Sequence, residues 1–71
     1  MKIKYDQEVD AAYISFKKKP TEVTTIRLTE DIAVDLGMNE EIVGIEIIDA
    51  SEYFDLENKK PVVELENLMA A

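Results

Sequence analysis

The sequence predicts an α+β domain: an antiparallel β-meander of about five strands, with one or two short C-terminal helices packed on or beside the sheet. Apolar and polar residues alternate with period two through most of residues 1–49, which is typical of strands that bury one face. After Ile48 the pattern changes, which predicts a mostly helical extension over residues 50–71. Both parts belong to one domain, residues 1–71, because a chain of 71 residues is too short for two hydrophobic cores.

The first two predicted strands form a β-hairpin. Ile3 and Tyr5 lie on one side of the first strand, and Ile14 and Phe16 share one side of the second. The residues between the strands, 6–10, include two aspartates, whose side chains readily bond to nearby backbone groups in turns. This segment therefore predicts the turn of the hairpin.

Three further strands are predicted along the chain. Residues 22–29 are rich in β-branched side chains, and residues 32–36 alternate in polarity. Gly37 and Asn39 both tolerate positive φ, so the segment after the fourth strand predicts a tight turn. The fifth strand, residues 42–48, carries isoleucine on both faces, which predicts a central strand or a second covered surface.

A helix is predicted directly after the fifth strand. Residues 49–52, Asp-Ala-Ser-Glu, have the form of a helix N-cap with a glutamate three residues on. The short helix that follows carries Tyr53, Phe54 and Leu56. It ends before Pro61, because a proline disfavours helical geometry at the preceding residue.

Two interpretations of the C-terminal segment stay open. Four apolar residues recur at helical spacing and favour a second helix: Val62, Leu65, Leu68 and Met69. The same segment also alternates as a strand does, with Val63 and Leu65 set against two glutamates. The helix is the preferred interpretation, because a sheet that is apolar on one face needs a cover.

The chain is acidic, and the excess of negative charge lies in its second half. Sixteen acidic residues against eight basic ones give a net charge of −8, of which residues 1–36 carry −1 and residues 37–71 carry −7. Such a surface repels phosphates, so no nucleic-acid partner is predicted. The basic run at residues 17–19 is typical of a solvated loop. No apolar stretch approaches the roughly 20 residues that span a bilayer, so no membrane partner is predicted either.

Histidine and cysteine are both absent from the sequence. This removes the commonest general bases, nucleophiles and transition-metal ligands, so the sequence predicts no catalytic residue, no metal site and no cofactor. A cysteine-free chain also fits a reducing compartment, and the alternating, charged start of the chain is unlike a signal peptide. We therefore predict a cytoplasmic protein and lean against an enzyme.

Carboxylates are the remaining candidates for chemistry. Asp6, Glu8 and Asp10 stand at alternate positions, like the start of a calcium loop. Ala11 and Lys17 occupy the places where that loop has its glycine and its bidentate glutamate. A solvated turn is therefore the preferred interpretation of these acids.

Asp35 and Glu46 form a second carboxylate pair, on neighbouring predicted strands. Two acids that flank a cleft can act as proton donor and nucleophile. Both lie on the polar sides of their strands in a chain too small to build a deep pocket, so this reading is disfavoured. A small domain that binds a divalent cation or ligand, or a minor enzyme that uses surface carboxylates, is kept as the alternative function.

Two segments carry a resemblance to a known family. Residues 5–14 read YDQEVDAAYI, and residues 42–51 read IVGIEIIDAS. Together they resemble the small prokaryotic family catalogued as domain of unknown function 2283, over about residues 1–51. Residues 52–71 extend beyond the usual ending of that family. The resemblance implies the strand-rich fold and the cytoplasmic location, and it implies no activity, because none is assigned to the family.

Protein–protein association is the function that the sequence favours. A sheet in so small a chain leaves apolar side chains that it cannot cover alone, and a homodimer is the simplest way to bury them. In a second version of this hypothesis, the acidic half neutralises a small basic protein, as an antitoxin masks a basic nuclease. The candidate interface residues are Tyr13, Ile42, Ile48, Leu65, Leu68 and Met69.

Overall fold

A computed structural model describes residues 1–18 and 20–67 of the chain. Five strands form one antiparallel sheet, and two short strands form a separate hairpin. The sheet strands are β1 (Lys2–Asp6), β2 (Ala11–Ser15), β3 (Thr24–Arg27), β4 (Ile32–Leu36) and β5 (Ile42–Ile48), and the hairpin strands are β6 (Leu56–Glu57) and β7 (Lys60–Pro61).

The order of the strands across the sheet is β1-β2-β5-β4-β3. The predicted strands are confirmed, but the predicted continuous meander is wrong, because β2 pairs with β5 rather than with β3. β3 lies at the edge of the sheet opposite β1, and β3, β4 and β5 follow one another as two hairpins. β5 is consequently central, which agrees with its isoleucines on both faces.

The predicted α+β class is wrong, because the described residues contain no α-helix. Their helical content is two single 3-10 turns, Met38–Glu40 and Ala50–Glu52. Asp49 does not cap a helix: its backbone is left-handed, with φ 55°, and its side chain makes no capping hydrogen bond. The residues of the N-cap pattern, 49–52, therefore form a single 3-10 turn and do not begin a helix.

The predicted helices after this turn are also absent from the described residues. Asn58 and Lys59 both have positive φ, at 53° and 62°, and they reverse the chain between β6 and β7 as a tight hairpin turn. Pro61 lies in β7 rather than opening a helix. Residues 62–67 form neither helix nor strand. Leu68 and Met69, which the helical interpretation also used, lie outside the described residues.

The register of the strands sorts their side chains onto two different faces. Two adjacent rows of one face contain only apolar residues and a tyrosine, and no charged side chain. We call this the apolar face; its rows are Ile3, Ile14, Ile45, Val34 and Ile26, and Tyr5, Ala12, Ile47 and Ile32. The charged side chains of the five strands lie on the opposite, polar face, which includes Lys2, Lys4, Arg27, Asp35 and Glu46.

The protein's own chain covers only part of the apolar face. Ala50 and Phe54, from the turn after β5, pack on Ala12 and Ile47. Three of the six buried apolar residues are alanines, and no large side chain among the described residues is fully buried. The core is therefore small and lies under one end of the sheet.

Gly44 in β5 allows the Tyr13 side chain to lie flat on the polar face. A Cβ atom at this position would stand 2.7 Å from Tyr13 Cε2, and closer still to the end of the ring. Gly37 is less restricted, since a Cβ atom there would lie 3.1 Å from Val43 Cγ1 and 3.3 Å from Pro20 Cγ. The close approach of a ring to the backbone is thus the reason for a glycine within this central strand.

We expect Gly44→Ala to lower the free energy of unfolding by about 1–3 kcal/mol, because the new methyl group displaces the Tyr13 ring. Gly37→Ala serves as the matched control and has a smaller effect. Chemical denaturation of both variants checks this. In a Tyr13→Ala background the penalty at Gly44 should disappear, and a penalty that persists there would contradict the explanation.

Candidate functional site

The uncovered part of the apolar face is the most prominent surface feature of the described residues. Ile26 on the edge strand β3 is 44% exposed, and Ile3, Ile14 and Ile45 are partly exposed. Phe16 and Leu28, which follow β2 and β3, are also exposed. Exposed apolar residues arranged contiguously are typical of interaction surfaces, whereas scattered ones are ordinary.

The polar face carries a hydrogen-bonded cluster centred on Asp35. The Tyr13 hydroxyl donates to Asp35 Oδ2 at 2.7 Å, and the Thr25 hydroxyl donates to Asp35 Oδ1 at 2.5 Å. Asp35 is only 8% exposed, so these bonds satisfy a carboxylate that is largely removed from water. The cluster ties β2, β4 and β3 together across the sheet.

The environment of Tyr13 makes its phenol hard to ionise. Burial of the hydroxyl is the main cause, and the hydrogen bond to the Asp35 carboxylate is the next; together they raise the pKa of Tyr13 from 10.0 to about 12. A nearby ion pair, Arg27 to Glu46 at 3.3 Å, is about half exposed and contributes little to stability. The hydrogen bonds of this cluster therefore hold the strands together, and the Tyr13 phenol is poorly suited to ionise in a reaction.

A second cluster is centred on Asp10, at the end of the first hairpin turn. Its carboxylate accepts hydrogen bonds from the Tyr5 hydroxyl at 2.7 Å, the Ser51 hydroxyl at 2.6 Å and the Ser51 backbone N–H at 3.0 Å. Its backbone carbonyl accepts the Ala50 N–H at 2.9 Å. Asp10 thus fastens the β1–β2 turn to the turn that follows β5, two places that are about 40 residues apart in the chain.

The candidate interface residues do not form a single surface. Tyr13 is partly buried, and its hydroxyl is engaged by Asp35. Ile48 is 37% exposed on the polar face, and Ile42 lies exposed at the bulge between β4 and β5. Leu65 is 90% exposed, beyond β7. Leu68 and Met69 lie outside the described residues, so the structure places four of the six candidates. Of these four, Tyr13 and Ile48 are diagonal neighbours on the polar face, since Tyr13 pairs with Glu46 and Ala11 pairs with Ile48.

Of the carboxylates singled out in the sequence, Asp6 and Glu46 line one open groove. Asp6 accepts the Glu8 backbone N–H at 3.0 Å within the turn, while Asp10 belongs to the cluster described above. Asp35 and Glu46 lie on the polar face, as the alternation predicted. Their arrangement supports a structural role for these acids.

A third group of acids was missed by the sequence reasoning. Carboxylate oxygens of Asp31, Asp49 and Glu52 lie within 4.8 Å of one another, and the Tyr53 hydroxyl donates to Asp31 at 2.7 Å. That hydrogen bond is the main cause of the raised pKa of Tyr53. These side chains are the ones among the described residues that could hold a cation together, and they meet only because β4 and β5 are neighbours.

The comparison with known families now has a structural context. Residues 2–51 match the family described as "Protein of unknown function (DUF2283)". The chain belongs to this family. The match covers the whole five-stranded sheet and ends within the turn that follows it, so the resemblance noted in the sequence is confirmed. No curated protein and no solved structure matches the chain.

The two segments that carry the family resemblance meet in the Asp10 cluster. Tyr5 and Asp10 come from residues 5–14, while Ala50 and Ser51 come from residues 42–51. Part of the family pattern thus encodes a tertiary contact. In the part of the chain that the structure describes, no helix has the length and apolar composition of a membrane span.

The Asp10 cluster makes stability depend on acid pH. The bonds from Ser51, and next the bond from Tyr5, lower the pKa of the Asp10 carboxyl below its ordinary value of 3.8. A carboxyl whose pKa is lower in the folded state stabilises the fold above the unfolded-state pKa, and this contribution is lost as the pH falls through the folded-state pKa.

We expect Asp10→Asn to lower the melting temperature at neutral pH, because the amide nitrogen cannot accept the hydrogen bonds that Asp10 receives. The difference from the native protein should shrink as the pH falls below 3.8. Asparagine tolerates the left-handed backbone of Asp10, so the loss reports the side chain. Asp6→Asn, in the same turn, is the control; equal losses in both variants would contradict the role of Asp10.

Alkaline titration tests the Tyr13 cluster. Because the folded-state pKa of Tyr13 lies above 10.0, its stabilising contribution is present below pH 10 and is lost as the pH rises towards about 12. Absorbance of tyrosinate should therefore show a last ionisation step near pH 12 that Tyr13→Phe removes. Tyr53→Phe should leave that step in place, and its removal there would contradict the assignment.

Proposed function

We propose that this protein is a self-associating module whose homodimer forms by packing the apolar faces of two copies against each other. The observation that carries the proposal is a sheet face without charged side chains, on which Ile26 is 44% exposed and three further isoleucines are partly exposed. This statement concerns the described residues, 1–18 and 20–67.

No helix covers the apolar face among the described residues, which supports the proposal. The sequence assigned the cover of the apolar face to C-terminal helices, whereas residues 50–67 contribute Ala50 and Phe54 at one end of the face and a small hairpin beside β1. Apolar area that is removed from water contributes roughly 25 cal/mol per Å². Covering the remaining isoleucines with another copy therefore supplies stability that so small a core lacks.

The distribution of charge favours contact between two copies through the apolar face. The net charge of −8 makes two chains repel each other through most of their surface. The charged side chains of the sheet strands lie on the polar face, so contact through the apolar face keeps them apart and in water. Two sheets packed in this way would lie about 10 Å apart, as in a β-sandwich.

Two other hypotheses, binding of a small basic protein and binding of a divalent cation, depend on the negative charge of the chain. The acidic second half supports the first, and the group formed by Asp31, Asp49 and Glu52 is where a cation would be sought for the second. Association through the apolar face is favoured over both, because it is supported by an extended surface rather than by exposed acids, which keep many proteins soluble. A cytoplasmic location remains the prediction for this module.

We expect Ile26→Glu to weaken the dimer by about a hundredfold, because burying an unpaired carboxylate costs a few kcal/mol. Ile26 is 44% exposed, so the fold of the protomer should survive, which circular dichroism checks. Sedimentation equilibrium at several protein concentrations measures the dimer.

Ile48→Glu is the matched control on the polar face, where the exposure is 37%. It should leave the dimer intact. A dimer lost with Ile48→Glu and kept with Ile26→Glu would move the interface to the polar face. A native protein that stays monomeric at millimolar concentration would overturn self-association itself.

A further inference from the structure

We propose that residues 62–67 of one protomer add as an extra strand along the free edge of β1 in the partner copy. We call this segment the C-terminal arm. The inference rests on the proposed homodimer and names a second contact within it. The apolar faces would hold the two sheets together, and the arms would pair with the sheet edges.

The arm has the pattern of a strand without a partner. Val63 and Leu65 alternate with Glu64 and Glu66, and the arm forms no ladder within the described residues. Leu65 is 90% exposed, the highest value among the large apolar side chains of the described residues. A segment with this alternation is suited to pairing with a sheet edge, with its apolar side chains against a surface and its acids in solvent.

The outer edge of β1 has unpaired backbone groups that could form a ladder with the arm. Among the described residues β1 pairs only with β2, so its outer backbone groups are available to another strand. Ile3 and Tyr5 belong to the apolar face and also line a groove of about 460 Å³, together with Pro61 and Val63. The arm therefore begins at the margin of the apolar face, where the proposed partner copy lies.

Charge distinguishes this edge from the other one. Lys2 and Lys4 are exposed on β1, and Lys59 and Lys60 line the adjoining groove. No ion pair engages these four lysines in the described part of the chain. Their charge is opposite in sign to that of the glutamates of the arm, and it exceeds that of the adjoining acids, Asp6 in β1 and Glu57 opposite Lys60.

The opposite edge strand, β3, provides one cation, Arg27, and that side chain already pairs with Glu46. The dimensions also agree with β1, since six extended residues span about 20 Å and the five residues of β1 span about 17 Å. Val63 lines the groove beside its own β1, yet the arm forms no ladder with that strand among the described residues, which favours the same edge of the partner copy as its site.

Chemical cross-linking tests the exchange directly, because the chain contains no cysteine. Lys4→Cys and Leu65→Cys are made in separate full-length chains, mixed in equal amounts and treated with a short bis-maleimide. An arm held against the partner's β1 brings the two thiols to a local concentration near millimolar. We expect a covalent dimer that contains one chain of each variant, about a hundredfold above the yield of a Thr24→Cys and Leu65→Cys mixture, in which the first thiol is on β3.

The results of this experiment distinguish a failure of the arm contact from a failure of the proposed dimer. If both thiols are placed in one chain and that chain forms only an internal cross-link, the arm docks on its own sheet and the inference is overturned. If no cross-link exceeds the β3 control while sedimentation still shows a dimer, the arm inference fails and the proposed function stands. A monomer by sedimentation would overturn both.

Charge reversal provides a second readout. Glu64→Lys with Glu66→Lys should weaken the dimer by about tenfold, because two exposed pairs become like-charged. The fourfold variant that also carries Lys2→Glu and Lys4→Glu has the native net charge of −8 and should recover the native affinity. A fourfold variant as weak as the double one would contradict the pairing of these charges.

Discussion

A sheet of one layer has two faces, and only a face that meets water with polar groups can be left bare without cost. This constraint governs the whole protein. Its five strands direct their charged side chains to one face and leave the other apolar, while the rest of the described chain offers Ala50, Phe54 and a short hairpin as cover. The absence of any fully buried large side chain among the described residues follows from that shortage. This shortage of cover is the physical basis of the proposed association between copies.

Two hydrogen-bonded aspartates hold parts of the sheet together. Asp10 joins the first turn to the turn after β5, and Asp35 joins three strands across the polar face. In both clusters a tyrosine hydroxyl donates to an aspartate, which lets a largely hydrophobic ring end in a satisfied polar group. The segments shared with the family supply the Asp10 cluster, so part of the family pattern is explained by a tertiary contact. The proposed association therefore rests on the apolar face, and the proposed exchange rests on the arm.

The success and the failure of the sequence reasoning have the same origin. Alternation located all five strands because a pleated strand repeats every two residues, whatever its neighbours are. The helices were predicted from spacing over short segments, where a capping pattern at residues 49–52 also suits a single turn that Asp10 can close from a distance. Likewise, the turn at Asn58 and Lys59 requires positive φ at two residues that are not glycine. The geometry of the hairpin imposes these angles, whereas the local conformational preference of the residues disfavours them.

From the sequence alone come the strands, the polarity of each face, the acidity of the chain and the family, because these depend on the order of side chains along the backbone. Only the tertiary structure decided that β2 lies beside β5, that Asp31, Asp49 and Glu52 meet, and that no helix covers the apolar face within residues 1–18 and 20–67. Such contacts arise between segments that are distant in the chain. Their free energy comes from packing and hydrogen bonding that no local pattern records.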